Sequence, residues 1–173
     1  MSFKNFIILV IIIIFSLFIR KECFEDNKRI SSYIIKNSNK AILGAILPLE
    51  NSTIFIKLSA NVNGIKKLEQ EFIWFCSSLN KSDSDQALEW VAPINWVEQI
   101  PTNIRKASFN VDYSEGIADV SVLEFPGDGG GKIKNVNRWR EQIGLHVESE
   151  TFINALSIVK TSALGDYEFF KIK

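Results

Sequence analysis

Apolar residues fall along this chain in three patterns. The first is an unbroken run, FIILVIIIIFSLFI, from Phe6 to Ile19. The second is short, β-branched and aromatic, as in TIFIKLSA at 53–60 and RKASFNVDY at 105–113. It predicts strands. The third recurs at steps of three and four. In NGIKKLEQEFIWFCSSLN it brings Ile65, Leu68, Phe72, Phe75, Cys76 and Leu79 to one side, with Lys66, Lys67, Glu69 and Glu71 elsewhere. That spacing predicts an amphipathic helix with Asn63 as N-cap. Trp74 falls off the stripe, so it meets a second surface.

Further elements follow by the same logic. YIIKNSNKAILGAIL puts two apolar runs around the turn residues Asn37-Ser38-Asn39, and LPLENS breaks the second. NKSDSDQ at 80–86 is a polar linker. Pro93 and Pro101 forbid a long helix between Trp90 and Asn103, leaving extended pieces and turns. RKASFNVDY and ADVSVLEF at 118–125 predict a hairpin turning at Ser114-Glu115-Gly116. Val120, Val122 and Glu124 alternate with Asp119, Ser121 and Leu123, and the pattern leaves open which set is buried. Val136, Trp139 and Ile143 predict a helix over 136–143 that Gly144 ends. SETFINALSIV predicts another over 149–159, capped by Ser149, with Phe152, Leu156 and Val159 inward. DYEFFKIK at 166–173 predicts a last strand, whose backbone groups need a neighbour.

The first run has its own meaning. Its fourteen residues would rise about 21 Å as a helix, short of the roughly 30 Å hydrocarbon core. Lys4 precedes it and Arg20-Lys21 follow, the pattern of a signal sequence or short signal anchor. No small-residue cleavage site follows, and Arg20-Lys21-Glu22 is a poor context for lipid attachment at Cys23. The expectation is an uncleaved, single-pass anchor at 1–22, a tether at 23–32 and one domain at 33–173, formed by a strand-and-helix half at 33–80 and a second half at 88–173. The basic residues after the run favour keeping the domain on the cytoplasmic side.

Charge narrows the partners. The chain has 173 residues with 20 basic and 20 acidic side chains. Outside residues 1–22 the counts are 17 and 19. There is no electrostatic case for nucleic acid. Two cysteines make no disulfide framework, and Cys76 sits in the helical stripe as a small hydrophobe. His146 is the single histidine, which excludes multi-histidine metal sites and leaves a Ser-His-Asp mechanism dependent on one residue. No G-x-S-x-G elbow accompanies it. No cofactor, metal or catalytic set is predicted.

PGDGGGKIKNVNRWREQIGL, at 126–145, is the densest stretch. Gly127 to Lys132 is one residue short of a P-loop, and Ile133 replaces the hydroxyl that would hold magnesium. The G-x-G-x-x-G pattern is also missing. Two readings remain. In one, Gly129, Gly130 and Gly131 aim backbone N–H groups at an anion beside the helix start, with Asp128, Lys132, Asn135, Asn137, Arg138 and Arg140 completing a surface for a small anion or a protein partner. In the other, the glycines make a tight turn, Asn135 caps the helix, and the arginines pair with acids such as Asp128 or Glu141. Arg138 and Arg140 point about 200° apart on a helix, so they cannot form one clamp.

FPGDGGGKIKNVNRWREQIGL resembles the signature of a family of exported, often lipid-anchored proteins of unknown function in planctomycetes and verrucomicrobia, of the form F-P-G-[DE]-x-G-G-x-x-x-N-V-N-R-W-R-x-Q-[IL]-G-L. Pro126, Gly127, Asp128, Gly130, Gly131, Asn135 to Arg140, Gln142, Gly144 and Leu145 match. The likeness covers roughly 88–147 and extends to Trp90, the Pro93-to-Trp96 segment, RKASFNV and ADVSV. It carries no known chemistry. In that family the signature half precedes a hairpin and helix resembling AILGAILPLENSTIFIKLSANVNGIKKLEQEFIWFCSSL, whereas here that segment comes first. The resemblance therefore implies permuted halves, with DYEFFKIK pairing YIIKN or AILGAIL in one sheet, or else half-domains completed by other copies. It also implies an extracytoplasmic location, against the charge flanks. The implied fold is α+β, an antiparallel sheet packed by helices, broadly similar to the PsbP-type sandwich, behind an N-terminal membrane helix.

Three functional expectations follow: a membrane-anchored envelope module that binds a protein or an anion without catalysis; a hydrolase-type enzyme using Asp128 or Glu141 as acid or base; or a structural protein whose signature serves folding.

Overall fold

In a computed structural model, the described residues are 39–83, 86–102 and 104–173. The chain divides into two units, Met1–Ser38 and Asn39–Lys173. The predicted anchor, the tether and the strand at 33–37 fall in the first and lie outside the described residues. Among the described residues no helix is long and apolar enough to cross a membrane.

The second unit is built on a seven-stranded antiparallel sheet. In chain order the elements are β1 (Lys40–Pro48), β2 (Ser52–Asn61), α1 (Val62–Ser77), β3 (Asn80–Lys81), β4 (Leu88–Glu89), β5 (Trp96–Gln99), β6 (Arg105–Tyr113), β7 (Gly116–Pro126), α2 (Lys132–Gln142), α3 (Glu150–Leu156), β8 (Ile158–Ser162) and β9 (Gly165–Ile172). The strand order is β5-β6-β7-β2-β1-β9-β8, and β3 and β4 form a separate two-stranded ribbon. The last strand lies beside the first: Ile42 faces Ile172 and Ala45 faces Phe169. One chain thus completes its own sheet from both ends, and AILGAIL is the partner of the terminal strand.

The two faces of the sheet are covered differently. Ile54, Ile56 and Leu58 of β2 and Ala118, Val120 and Val122 of β7 point at α1, whose predicted stripe from Ile65 to Leu79 is buried against them with Phe109 and Phe169. On the other face Ile42, Ile46, Phe55 and Phe170 meet Val136, Trp139 and Ile143 from α2 and Ile153 from α3. Seven adjacent strands buried on both faces in their middle explain why β1 reads as a continuous apolar run rather than an alternation. The open alternation in β7 is thereby decided: the valines face α1, and Ser121, Leu123 and Phe125 face the α2 side.

Three sequence expectations need correction. The cap of α1 is Asn61, whose Oδ1 accepts the Gly64 N–H at 2.7 Å, because β2 runs straight into the helix without a linker. Asn63 lies inside the first turn and donates to Glu115 instead. The helix read over 149–159 ends at Leu156; Ser149 does cap it, but Ile158 and Val159 belong to edge strand β8 and are exposed. Their β-branched pair turns into β9 through Gly165, which holds a φ of 125°. Ile153, not Phe152 or Val159, is the buried anchor of α3. Finally, α2 begins at Lys132, a turn earlier than its apolar periodicity shows.

Candidate functional site

The signature forms a turn, a helix and the loop that follows. Gly127, Gly129, Gly130 and Gly131 all hold positive φ, between 58° and 90°. At Gly129 a Cβ would also lie 2.5 Å from the Phe55 ring. The N–H groups that could cradle an anion are already used. Gly129 donates to Pro126 O at 3.4 Å, Gly131 to Asp128 O at 3.0 Å, and Gly130 to the Asp128 carboxylate at 2.9 Å. An incoming anion would have to displace the loop's own carboxylate. Lys132 is committed as well, with Nζ 2.9 Å from both Glu168 oxygens.

Asn135 is not the helix cap. It is buried in the first turn and donates through Nδ2 to Gly131 O at 2.8 Å and Gly129 O at 3.1 Å, tying the glycine turn to α2. Gly131 fills the cap position without a side-chain bond. Asn137 makes an amide-to-backbone pair with Glu148: its Nδ2 donates to Glu148 O at 2.9 Å and its Oδ1 accepts Glu148 N–H at 2.8 Å. Arg140 is 9% exposed. Its Nε donates to His146 O at 2.9 Å, its Nη2 reaches Glu148 Oε1 at 3.4 Å, and its guanidinium lies 5.3 Å from the centre of the Phe152 ring. Its acidic partner is thus Glu148, not Asp128 or Glu141, because Gly144 turns the chain back along α2 and brings residues 146–148 under Arg140. Gly144 holds a φ of 80°, and Leu145 N–H closes on Arg140 O at 3.0 Å, as expected for the stop.

Trp139 points into the sheet. Its ring lies so close to Gly44 that a Cβ there would be 2.3 Å from Cζ3. Phe55 packs edge-on against it, with ring centres 6.4 Å apart. Arg138 alone among the signature's charged candidates turns toward an open groove. Asn135 is its neighbour there, with Oδ1 accepting from Nη1 at 3.3 Å.

That groove lies between α2 and the β6–β7–β2 face and holds about 300 Å³. Phe55, Leu123 and Phe125 contribute its apolar surface; Trp139 and Gln142 line it from α2, and Ile104 and Arg105 from the start of β6. Three cations line it, Lys57, Arg105 and Arg138, and no carboxylate does. Arg105 is neutralised by Asp119 at 2.9 and 3.2 Å. Lys57 and Arg138 have no ion pair among the described residues. Lys57 Nζ donates to Gln142 Oε1 at 2.9 Å, a neutral partner. Burial lowers the Lys57 pKa, Asp119 pulls it back up and Arg105 pushes it down. A second hollow of about 380 Å³, lined by Lys40, Ile117 and Ile143, shares Gln142 with the first.

Of the predicted surface, the structure therefore brings only Asn135 and Arg138 to this groove. Lys57, Arg105 and Phe55 escaped the sequence reading. One signal was present: Lys57 is the lone charge inside TIFIKLSA, a strand apolar on both sides of it. Neither Asp128 nor Glu141 lines either hollow. Compared with family models, characterised proteins and solved structures, the chain has no match in any of the three.

Proposed function

We propose that this protein is a membrane-tethered, non-enzymatic binding module, and that the groove beside α2 receives an anionic group carried on an apolar or aromatic body. The observation that supports it most is that Lys57 and Arg138, neither of them in an ion pair among the described residues, line one groove with Phe55 and Phe125. A partly desolvated cation whose hydrogen-bond partner is neutral is costly to hold, and a carboxylate or sulfonate would complete it. The tether belongs to the same reading through the apolar run at 6–19 and the likeness to exported, anchored proteins. The hydrolase reading gains no support, since its acid or base lies outside the groove.

Titration with 2-naphthoate and with 2-naphthylmethylammonium, read by calorimetry, tests the site. The acid should bind and the charge-reversed amine should not. Arg138→Ala and Lys57→Met should each weaken the acid by about tenfold, the worth of one charge-assisted hydrogen bond. Because burial lowers the Lys57 pKa, its charge opposes folding below that pKa. The Met variant should therefore match or exceed the wild type in thermal stability at neutral pH, the difference closing as pH rises toward the ordinary lysine value of 10.5. Equal binding of both naphthalenes, or unchanged affinity in both variants, refutes the site.

A further inference from the structure

Eleven large apolar side chains are exposed among the described residues, and five of them, Val91, Ile94, Val97, Ile100 and Ile104, fall within fourteen consecutive positions. Ile94 and Ile100 are almost wholly exposed, at 105% and 91%. The segment forms the sheet edge at β5. Trp74, 49% exposed, stands on the α1 side of this edge, and Val97, next to the buried Trp96, on its other side. Trp74 lies on α1 between Glu71, which accepts from Asn95 and the Trp96 indole, and Ser78, which bonds the Val91 backbone. Positions 71, 74 and 78 share one helical stripe, so Trp74 stands where the segment docks. Isolated apolar residues on a surface need no explanation, but a cluster of this size does.

We propose that this edge, Trp74 with Ile94, Val97 and Ile100, rests on a lipid bilayer. The proposal rests on the anchored reading above. Nineteen residues lie between Ile19 and Asn39, and even fully extended they reach only about 70 Å. A body held that near a membrane meets it at high effective concentration, so weak contacts suffice. The chemistry matches: branched aliphatic tips on proline-bounded turns and a tryptophan at headgroup depth. Strand addition by another chain fits poorly, because β5 has four residues and Pro101 follows it closely. The local charges are mixed, with Glu71 and Glu98 beside Arg105 and Lys106, so the contact does not depend on anionic lipid. Ile104 also lines the groove, which places the groove beside the lipid.

The test uses the full chain in phosphatidylcholine vesicles. In a Cys23→Ser background, with Cys76 buried, an environment-sensitive fluorophore is placed at Ile100→Cys or at Ala163→Cys, an exposed position on the turn between β8 and β9 by the opposite sheet edge. Doxyl-labelled phospholipid should quench the label at 100 at least about twice as strongly as the label at 163. Equal quenching in chains that float with the vesicles overturns the edge contact and leaves the anchor standing. Chains that do not float overturn both. Energy transfer between labels at 100 at high dilution in lipid, without doxyl quenching, assigns the edge to a second copy and also overturns the proposal.

Discussion

Replacing Asn137 with alanine separates a folding role from a binding role for the signature. The side chain is 8% exposed. It supplies both partners of the Glu148 backbone, at 2.8 and 2.9 Å. Alanine removes two hydrogen bonds, each contributing about 1 kcal/mol net, and leaves a partly buried N–H and C=O to find water. Glu148 is only partly buried, so the desolvation penalty stays at its lower end. The expected loss is about 2–3 kcal/mol. At about 3–4 °C per kcal/mol for a unit of this size, the melting temperature should fall by roughly 6–12 °C. Arg140 holds the same loop through His146 and Glu148, so Asn137→Ala and Arg140→Ala together should cost less than the sum of the two. Arg138→Ala, on the exposed side of α2, should stay within about 0.5 kcal/mol of wild type. Thermal unfolding followed by tryptophan fluorescence measures all four, and calorimetry with 2-naphthoate should show normal affinity in folded Asn137→Ala. If Asn137→Ala unfolds like wild type, the 146–148 loop is not held this way and the structural account of the signature is wrong.

Two more outcomes follow from the packing and the ionisation. Gly44→Ala should destabilise by about 1–3 kcal/mol through overpacking against Trp139, and Trp139→Leu should relieve most of the clash in the double variant; a Gly44→Ala protein with wild-type melting would show that α2 can lift from β1 freely. Tyr167 has its pKa raised from 10.0 to about 12 by burial; its hydroxyl donates to Ile73 O and bonds the Ser77 hydroxyl. Above pH 10 the unfolded chain loses this proton first, so stability should be flat below that pH and fall by about 2 kcal/mol as pH climbs through 12. Denaturant unfolding across that range checks it, and Tyr167→Phe should remove this part of the slope.

The parts of the fold that could be read from sequence are those where one local rule acts alone. The α1 stripe is visible because Ile65 to Leu79 repeat at helical spacing over about four turns, and every member is buried. The β6–β7 hairpin and the stop at Gly144 are visible because their turns need particular residues. Residues 152–159 failed because Phe152, Leu156 and Val159 fit a helical stripe while Ile158 and Val159 equally fit a strand; short apolar runs carry both periods. The start of α2 was hidden because Lys132 to Lys134 add little apolar periodicity, and the glycine turn, not a capping side chain, sets the first residue. Only the α2 side of the groove, Asn135 and Arg138, was legible. Lys57 comes from β2, Arg105 from β6 and Arg138 from α2, and only the pairing of β2 with β7 and β7 with β6 brings them together.

Consecutive residues of the signature divide its labour, since neighbours on a helix diverge by about 100°. Arg138 turns to the groove, Trp139 to Gly44 and Arg140 to the loop before α3. The helix is thus fixed at its start by Asn135 and the glycine turn, at its middle by the tryptophan, and near its end by Arg140. A wall held at three points is already set, so on the binding reading proposed above little ordering cost would fall on a ligand. The same arrangement explains why the motif resists interpretation as a string. Residues that hold the helix and the cation that faces the groove follow one another along it, and only their directions in space tell them apart.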